Sequence, residues 1–569
     1  MTDLPQHRRR FGWAWLGVAL LGLLALCGLA AAGAALLLRE AGLEPSEAVV
    51  PIESDGQGDP PARRARDADA APRRGGTLSL PGGEPTSLDP AQVRDVVSAQ
   101  YIYEVHCGLV TLAPDLSVIP DLAQAWTMSP DGTVYTFTLR AGATFHDGRH
   151  ITSADVRFGI ERACDPATAP DVALTYLGDV VGCADKLAGD ANAVAGVATP
   201  DDGTIVLTID APKAYFLAKL TYPTSFVVDR NQIGDAGWAE RPNGCGPFRL
   251  AEYLPEERLR LVRHDGYHRE PAWLDEVVFD MRPIDPLTRY ENGELDAAPV
   301  GIADRERVRD PLNPLSAEVV EGPGDLGLSY LAFNVALEPF DDVHVRRAFA
   351  HALDREWLAE VVLRDAVAPL GTILPPGMPG HDPTANTLAF DEAAAERELS
   401  LSRYGGADAL PPITLLTSGG AGGSPAVQAV VERFATSLGT AIAVEQAPWE
   451  LFNDELDEGL YQGWFLGWSA DYADPQDFLD VLFHSASPLN ASGYADAEVD
   501  ALLEAARIES DETERLAAYS RAERRILADA PWLPLYNGVE TWLVAPDVHG
   551  FVLPPVIVPR MASVWRGSP

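Results

Sequence analysis

The chain has 569 residues, too many for one hydrophobic core, so two or three domains are expected. Its 47% hydrophobic and 22% charged content is that of a folded globular protein rather than a disordered one. A formal net charge of −41 argues against nucleic acid or anionic lipid as the principal partner.

From the N-terminus, the basic cluster His7 to Arg10 precedes an uncharged apolar run from Phe11 to Leu38. At about 1.5 Å per residue this run exceeds a hydrocarbon core of roughly 30 Å. The h-region of a secretory signal is shorter, about 7–15 residues. The expected arrangement is a cytoplasmic segment 1–10 and a transmembrane anchor 11–38, with the body of the chain outside the cell. Cleavage, or lipidation at Cys27, is the alternative; bulky Leu26 before that cysteine disfavours a lipoprotein signal. Residues 39–74 are rich in Ala, Pro, Asp and Arg without apolar periodicity, as in a disordered linker.

Four cysteines follow: Cys107, Cys164, Cys183 and Cys245. An even number in an exported chain suggests disulfides. Cys164 and Cys183 enclose a short polar segment and are the first expected pair. Cys107 with Cys245 then follows by elimination. The absence of C-x-x-C gives no support to a zinc site.

Beyond Gly75 short strand-like runs alternate with helical stretches, the pattern of α/β domains. "TVYTFTLR", Thr133 to Arg140, alternates apolar and polar residues after the turn "SPDG". "VRRAFAHALDREWLAEVV", Val345 to Val362, has the apolar spacing of one amphipathic helix, and residues 497–529 that of two. "YQGWFL" reads as a buried strand that runs into the aromatic, acidic loop "GWSADYADP", Gly467 to Pro475.

Several stretches together resemble the family-5 extracellular solute-binding proteins, the peptide, dipeptide and nickel receptors of ABC importers. They include "GGTLSLPGGEPTSLDP" from Gly75, the span Tyr101 to Arg162 with "FHDGRHITSADV", and "GCGPFRL" from Gly244. "LAFNVALEPFDDVHVRRAFAHALDRE", "GWSADYADPQDFL" and "ADAPWLPLY" continue the match in order. The resemblance implies an α/β, two-lobed periplasmic-binding-protein-like fold (type II, three-domain) with a ligand cleft between the lobes. Lobe 1 would span 75–325, with domain II inserted at about 110–244. Lobe 2 would span 326–545, and 546–569 would return to lobe 1.

In peptide-binding relatives the aspartate of W-x-x-D pairs with the ligand's α-ammonium. That position here is Asp471, with Trp468 before it and Tyr472 after it. A buried carboxylate needs a cation or several donors, so a ligand ammonium is a natural partner. Asp474, followed by Pro475, reads as structural. Where some relatives place an arginine for the ligand carboxylate, this chain has Phe465. Capture of a free peptide C-terminus is therefore not carried over, and other ligands stay open. Tyr101, expected on the opposing lobe, and Asn334, after the expected hinge, complete the candidate ligand-binding set. Trp449 and Trp464 read as packing residues.

H-E-x-x-H, G-x-S-x-G and a Gly-Lys phosphate loop are all missing. His264 and His268 in "HDGYH" read as solvated loop histidines, and His146 and Asp147 as part of a turn. No catalytic residue, metal or cofactor is expected. The function expected is substrate capture by a monomer that delivers peptides or other small solutes to ABC permease subunits with a cytoplasmic ATPase. A membrane-anchored sensor using the same cleft is the alternative.

Overall fold

The structure, a computed structural model, describes residues 72–168, 170–322, 324–419, 423–556 and 560–567. The expected anchor at 11–38, and the linker at 39–74 apart from its last three residues, lie outside the described residues. Among the described residues no helix is long and apolar enough to cross a membrane.

The first lobe is assembled from distant pieces of chain. Thr77–Pro81 pairs in parallel with Glu276–Asp280, and Arg258–Arg263 and Phe248–Leu254 extend that sheet. Leu78 and Leu80 fill the covered face while their neighbours stay half-exposed, as period-two alternation requires. A second four-stranded sheet follows the order Ala123–Met128, Val134–Leu139, Thr204–Thr208, Val197–Asp201. Val134–Leu139 is the strand expected from "TVYTFTLR", with Tyr135, Phe137 and Leu139 buried. Its turn closes through Gly132 N–H to Ser129 O at 2.9 Å, with Gly132 at φ 72°, a backbone that favours glycine.

Both expected disulfides are present: Cys164–Cys183 with S–S 2.02 Å and Cys107–Cys245 with S–S 1.99 Å. The first ties the end of helix Ser153–Ala163 to the start of Cys183–Leu187. The second joins the segment after helix Val96–Val105 to the turn before Phe248–Leu254.

The second lobe is built on a six-stranded mixed sheet. Its order is Val367–Pro369, Trp532–Gly538, Gly327–Phe333, Gly463–Ser469, Ile413–Ser418, Ile442–Ala447. Gly327–Phe333 lies at its centre and is buried on both faces apart from Ser329, hence the nearly continuous apolar run "GLSYLAF". The helix expected over 345–362 is not continuous. Val343–Ala352 stops before Asp354, whose side chain accepts from Trp357 N–H at 3.0 Å and caps a new turn, Arg355–Trp357. The two helices expected over 497–529 are Ala497–Ile508 and Glu512–Asp529, capped by Asp496 and Asp511.

Two crossing segments connect the lobes and bond to each other. Gly322 N–H reaches Glu540 O at 3.0 Å and Asp325 N–H reaches Gly538 O at 3.1 Å. The Asn537 amide donates to the carbonyls of Asp325 and Gly327 at 2.6 and 2.7 Å. Thr541–Val544, which falls inside the expected 326–545 range, already pairs with Ala297–Pro299 and Val319–Glu321 of the first lobe.

Candidate functional site

The strand Gly463–Ser469 sets up the site by alternation. Trp464, Leu466 and Trp468 face a cavity of about 670 Å³ that lies between the lobes. Phe465 points the other way, into a core with Leu331 and Phe349. Its position therefore faces the sheet's far side. Stacked Tyr330 and Trp532, 3.5 Å between ring centroids, border the cavity on the second lobe; Tyr103, Tyr176 and Tyr222 border it on the first. Trp449 and Trp464 also line it.

Asp471 sits two residues beyond the strand, in the cavity wall. Its Oδ2 accepts a hydrogen bond from the Tyr176 hydroxyl of the opposing lobe. Burial pushes its carboxyl up to about 7, against a small opposing pull from that hydrogen bond. Asp477, absent from the sequence-based set, organises this corner. Its Oδ2 accepts from Asp471 N–H at 3.0 Å and from the Trp468 indole at 3.4 Å. Burial, then the neighbouring Asp471 charge, raise the Asp477 pKa well above the usual carboxylate range. Asp474 forms a buried ion pair with Arg515, at 2.8 and 3.0 Å, and accepts from Gln476 N–H at 3.0 Å. That pair pins the loop from behind.

The other candidates sit elsewhere. Tyr472 is fully buried outside the cavity lining, its hydroxyl donating to Gln476 Oε1. Tyr101 packs edge-on against Phe279 at 4.9 Å, and its hydroxyl donates to Gly83 O at 2.8 Å while accepting from Gly83 N–H at 3.1 Å. Tyr103, two residues later on the same helix, faces the cavity instead, because two helical residues turn the side chain by about 200°. Asn334 lies beyond the far end of strand Gly327–Phe333, where its Oδ1 accepts from Ala336 N–H at 3.0 Å; it serves a turn outside the lining.

Asp325 and Glu540, one on each crossing segment, border the cavity too. Burial, then the charge of Glu540, push Asp325 up to about 7, and burial raises Glu540. Apart from tyrosine hydroxyls, the ionisable lining among the described residues is thus Arg94 against Asp95, Asp325, Asp471 and Glu540, a predominantly acidic wall interleaved with aromatic rings. Such a wall suits an organic cation.

The histidines correct an expectation. His264 and His268 are buried rather than solvated: His268 Nε2 meets Asp121 Oδ1 at 2.9 Å, and His264 Nδ1 lies 3.2 Å from Gly246 O. His146 Nε2 reaches the same Gly246 carbonyl at 3.2 Å. The "HDGYH" turn folds back onto the first lobe's core, which spacing alone does not reveal.

Comparison with known proteins agrees with this architecture. The dipeptide-binding protein DppE of Bacillus subtilis (strain 168) is 29% identical over 495 residues, covering 83% of this chain and 88% of that protein. The Escherichia coli murein tripeptide binding protein MppA superposes with a TM-score of 0.79 at 25% identity, covering 88% of this chain and 99% of that one. An unliganded open form of MppA fits less closely, with a TM-score of 0.67 at 25% identity, covering 87% and 98%. Residues 117–490 match the model for bacterial extracellular solute-binding proteins, family 5, and the chain belongs to that family.

Proposed function

We propose that this chain is the extracytoplasmic receptor of an ABC importer, closing its lobes on peptides or related amine-bearing solutes and passing them to a permease. One observation carries the reading: Asp471, with Trp468 beside it, presents a half-buried carboxylate, desolvated enough for its pKa to rise to about 7, to an aromatic cavity between two hinged lobes. A ligand ammonium there gains a charge-assisted hydrogen bond and relieves the penalty of burying the carboxylate. Hinge closure brings ligand contacts from both lobes together, so binding favours the closed form. The names of the relatives, dipeptide- and tripeptide-binding, support peptides as the first class to test. The mostly acidic lining favours ligands recognised by their amine over those held by a free carboxylate, while Phe465, which faces away from the cavity, does not bear on the choice.

In this reading the apolar run Phe11–Leu38 anchors the receptor and residues 39–74 let it reach a neighbouring permease as a monomer. The proposed activity is binding, without catalysis or cofactor. The test is mass spectrometry of small molecules released from protein purified from its native envelope, followed by calorimetric titration of wild type and Asp471→Asn. An amine-bearing ligand that loses affinity in the variant is expected. A ligand without a cationic group overturns the ammonium reading.

A further inference from the structure

Tyr472 is 0% exposed, yet it stands in the short non-helical stretch that follows strand Gly463–Ser469 of the second lobe. Its apolar surroundings are not its own lobe's. The cluster that encloses it consists of Val93, Ala99, Ile102, Tyr103, Val172, Tyr176, Tyr215, Tyr222 and Phe226, all first-lobe residues. That socket is itself rigid: Tyr176 and Tyr222 stack at 3.7 Å, Tyr103 meets Phe226 edge-on at 5.4 Å, and the hydroxyls of Tyr103 and Tyr222 bond to Thr221 O and Val93 O. The ring is seated from its own side by Gln476, whose Oε1 accepts a hydrogen bond from the Tyr472 hydroxyl. Asp471, next to it, takes the Tyr176 hydroxyl across the same boundary.

We propose that Tyr472 is a latch between the lobes: a positioning residue that plugs the first-lobe aromatic socket, holds the cleft closed, and sets ligand affinity without touching the ligand. The contact is protein to protein, so it adds to the stability of the closed form independently of any contact the ligand makes. Opening the hinge would draw a whole tyrosine ring and its socket into water, which the hydrophobic effect opposes. The poorer fit to an unliganded open relative agrees with a closed arrangement of the lobes here. The inference rests on the two-lobed receptor reading but not on the identity of the ligand.

Small-angle scattering of the protein purified free of small molecules tests the latch without any ligand. Wild type is expected to give the compact radius of the closed form. Tyr472→Ala should give a larger radius with unchanged helical content, and Tyr472→Phe, which keeps the ring, should restore the compact value. If Tyr472→Ala does not fold, Tyr472→Leu, which keeps apolar volume at the site, should show an intermediate radius. With a ligand in hand, a closed fraction reduced to a few per cent weakens apparent affinity by about 10- to 100-fold, since apparent Kd scales inversely with the competent fraction. A wild-type protein that is open in solution, or a Tyr472→Ala protein as compact as wild type, overturns the latch. A merely structural tyrosine would lower the melting temperature without changing the radius. Loss of the ammonium reading leaves these scattering results untouched.

Discussion

Asp471 is a carboxylate whose side-chain partner among the described residues is a neutral hydroxyl, in a place where water solvates it poorly. Two consequences follow from its pKa near 7. A charge-assisted hydrogen bond contributes about 1.5–3 kcal/mol, so Asp471→Asn should weaken an amine-bearing ligand by roughly 10- to 150-fold. Wild-type affinity should also rise from pH 5 to pH 8 as Asp471 loses its proton, while the Asn variant stays nearly flat; calorimetry across pH checks both. Stability runs the opposite way. An acid whose folded pKa is raised binds its proton more tightly in the native state, so its stabilising contribution is complete below about pH 4 and lost as pH climbs through about 7. The Asn variant, free of ligand, should therefore melt above wild type at pH 8, with the gap closing at pH 4. The sequence pointed to Asp471 and Trp468 through the W-x-x-D resemblance. It did not reveal Asp477, because nothing in residue order says that a second aspartate reaches back to bond Asp471 N–H and the Trp468 indole.

At the scale of elements, alternation was the most legible signal. Val134–Leu139 and Gly463–Ser469 have the apolar runs that sheets require, and the two capped helices of 497–529 were readable from spacing. The break inside 345–362 was not, since the apolar stripe continues past Asp354 while its side chain caps a new turn. Tyr101 and Tyr103 show the same limit: a helix carries both, and packing decides which faces the cavity. The element behind the site makes its own prediction. Helix Glu512–Asp529 supplies Arg515, whose Nη1 donates to both carboxylate oxygens of Asp474 in a pair buried on both sides. Removing one partner of a buried pair leaves an uncompensated charge and costs about 3–5 kcal/mol. Arg515→Met should show that loss in denaturant unfolding, and Asp474→Asn added to it should recover a large part. Equal stability of the single and double variants would mean that the pair does not restrain the loop.

Across the whole molecule, the ordered string of motifs made the two-lobed plan legible, while the acidic crossing residues became visible once the 214 residues between Asp325 and Glu540 had folded back to join the two segments. The disulfides belong to this scale because one is local and one spans the lobe. Cys164–Cys183 closes a separation of 19 residues within the disulfide-bearing part of the first lobe; Cys107–Cys245 closes one of 138 and encloses the whole four-stranded sheet Ala123–Met128 to Thr204–Thr208. In the chain-entropy account, closing loops of these sizes stabilises by about 3 and about 5 kcal/mol respectively, through restriction of the unfolded chain. Serine pairs at each bridge should therefore differ: Cys107→Ser with Cys245→Ser should lower the unfolding midpoint more than Cys164→Ser with Cys183→Ser. Both should leave the second lobe's transition in place, because its cores contain no cysteine among their described residues. Differential scanning calorimetry with non-reducing peptide mapping checks the order. Equal losses from the two pairs would locate the stabilisation in native packing around the four cysteines, each 1% exposed or less, rather than in the length of chain each bridge encloses.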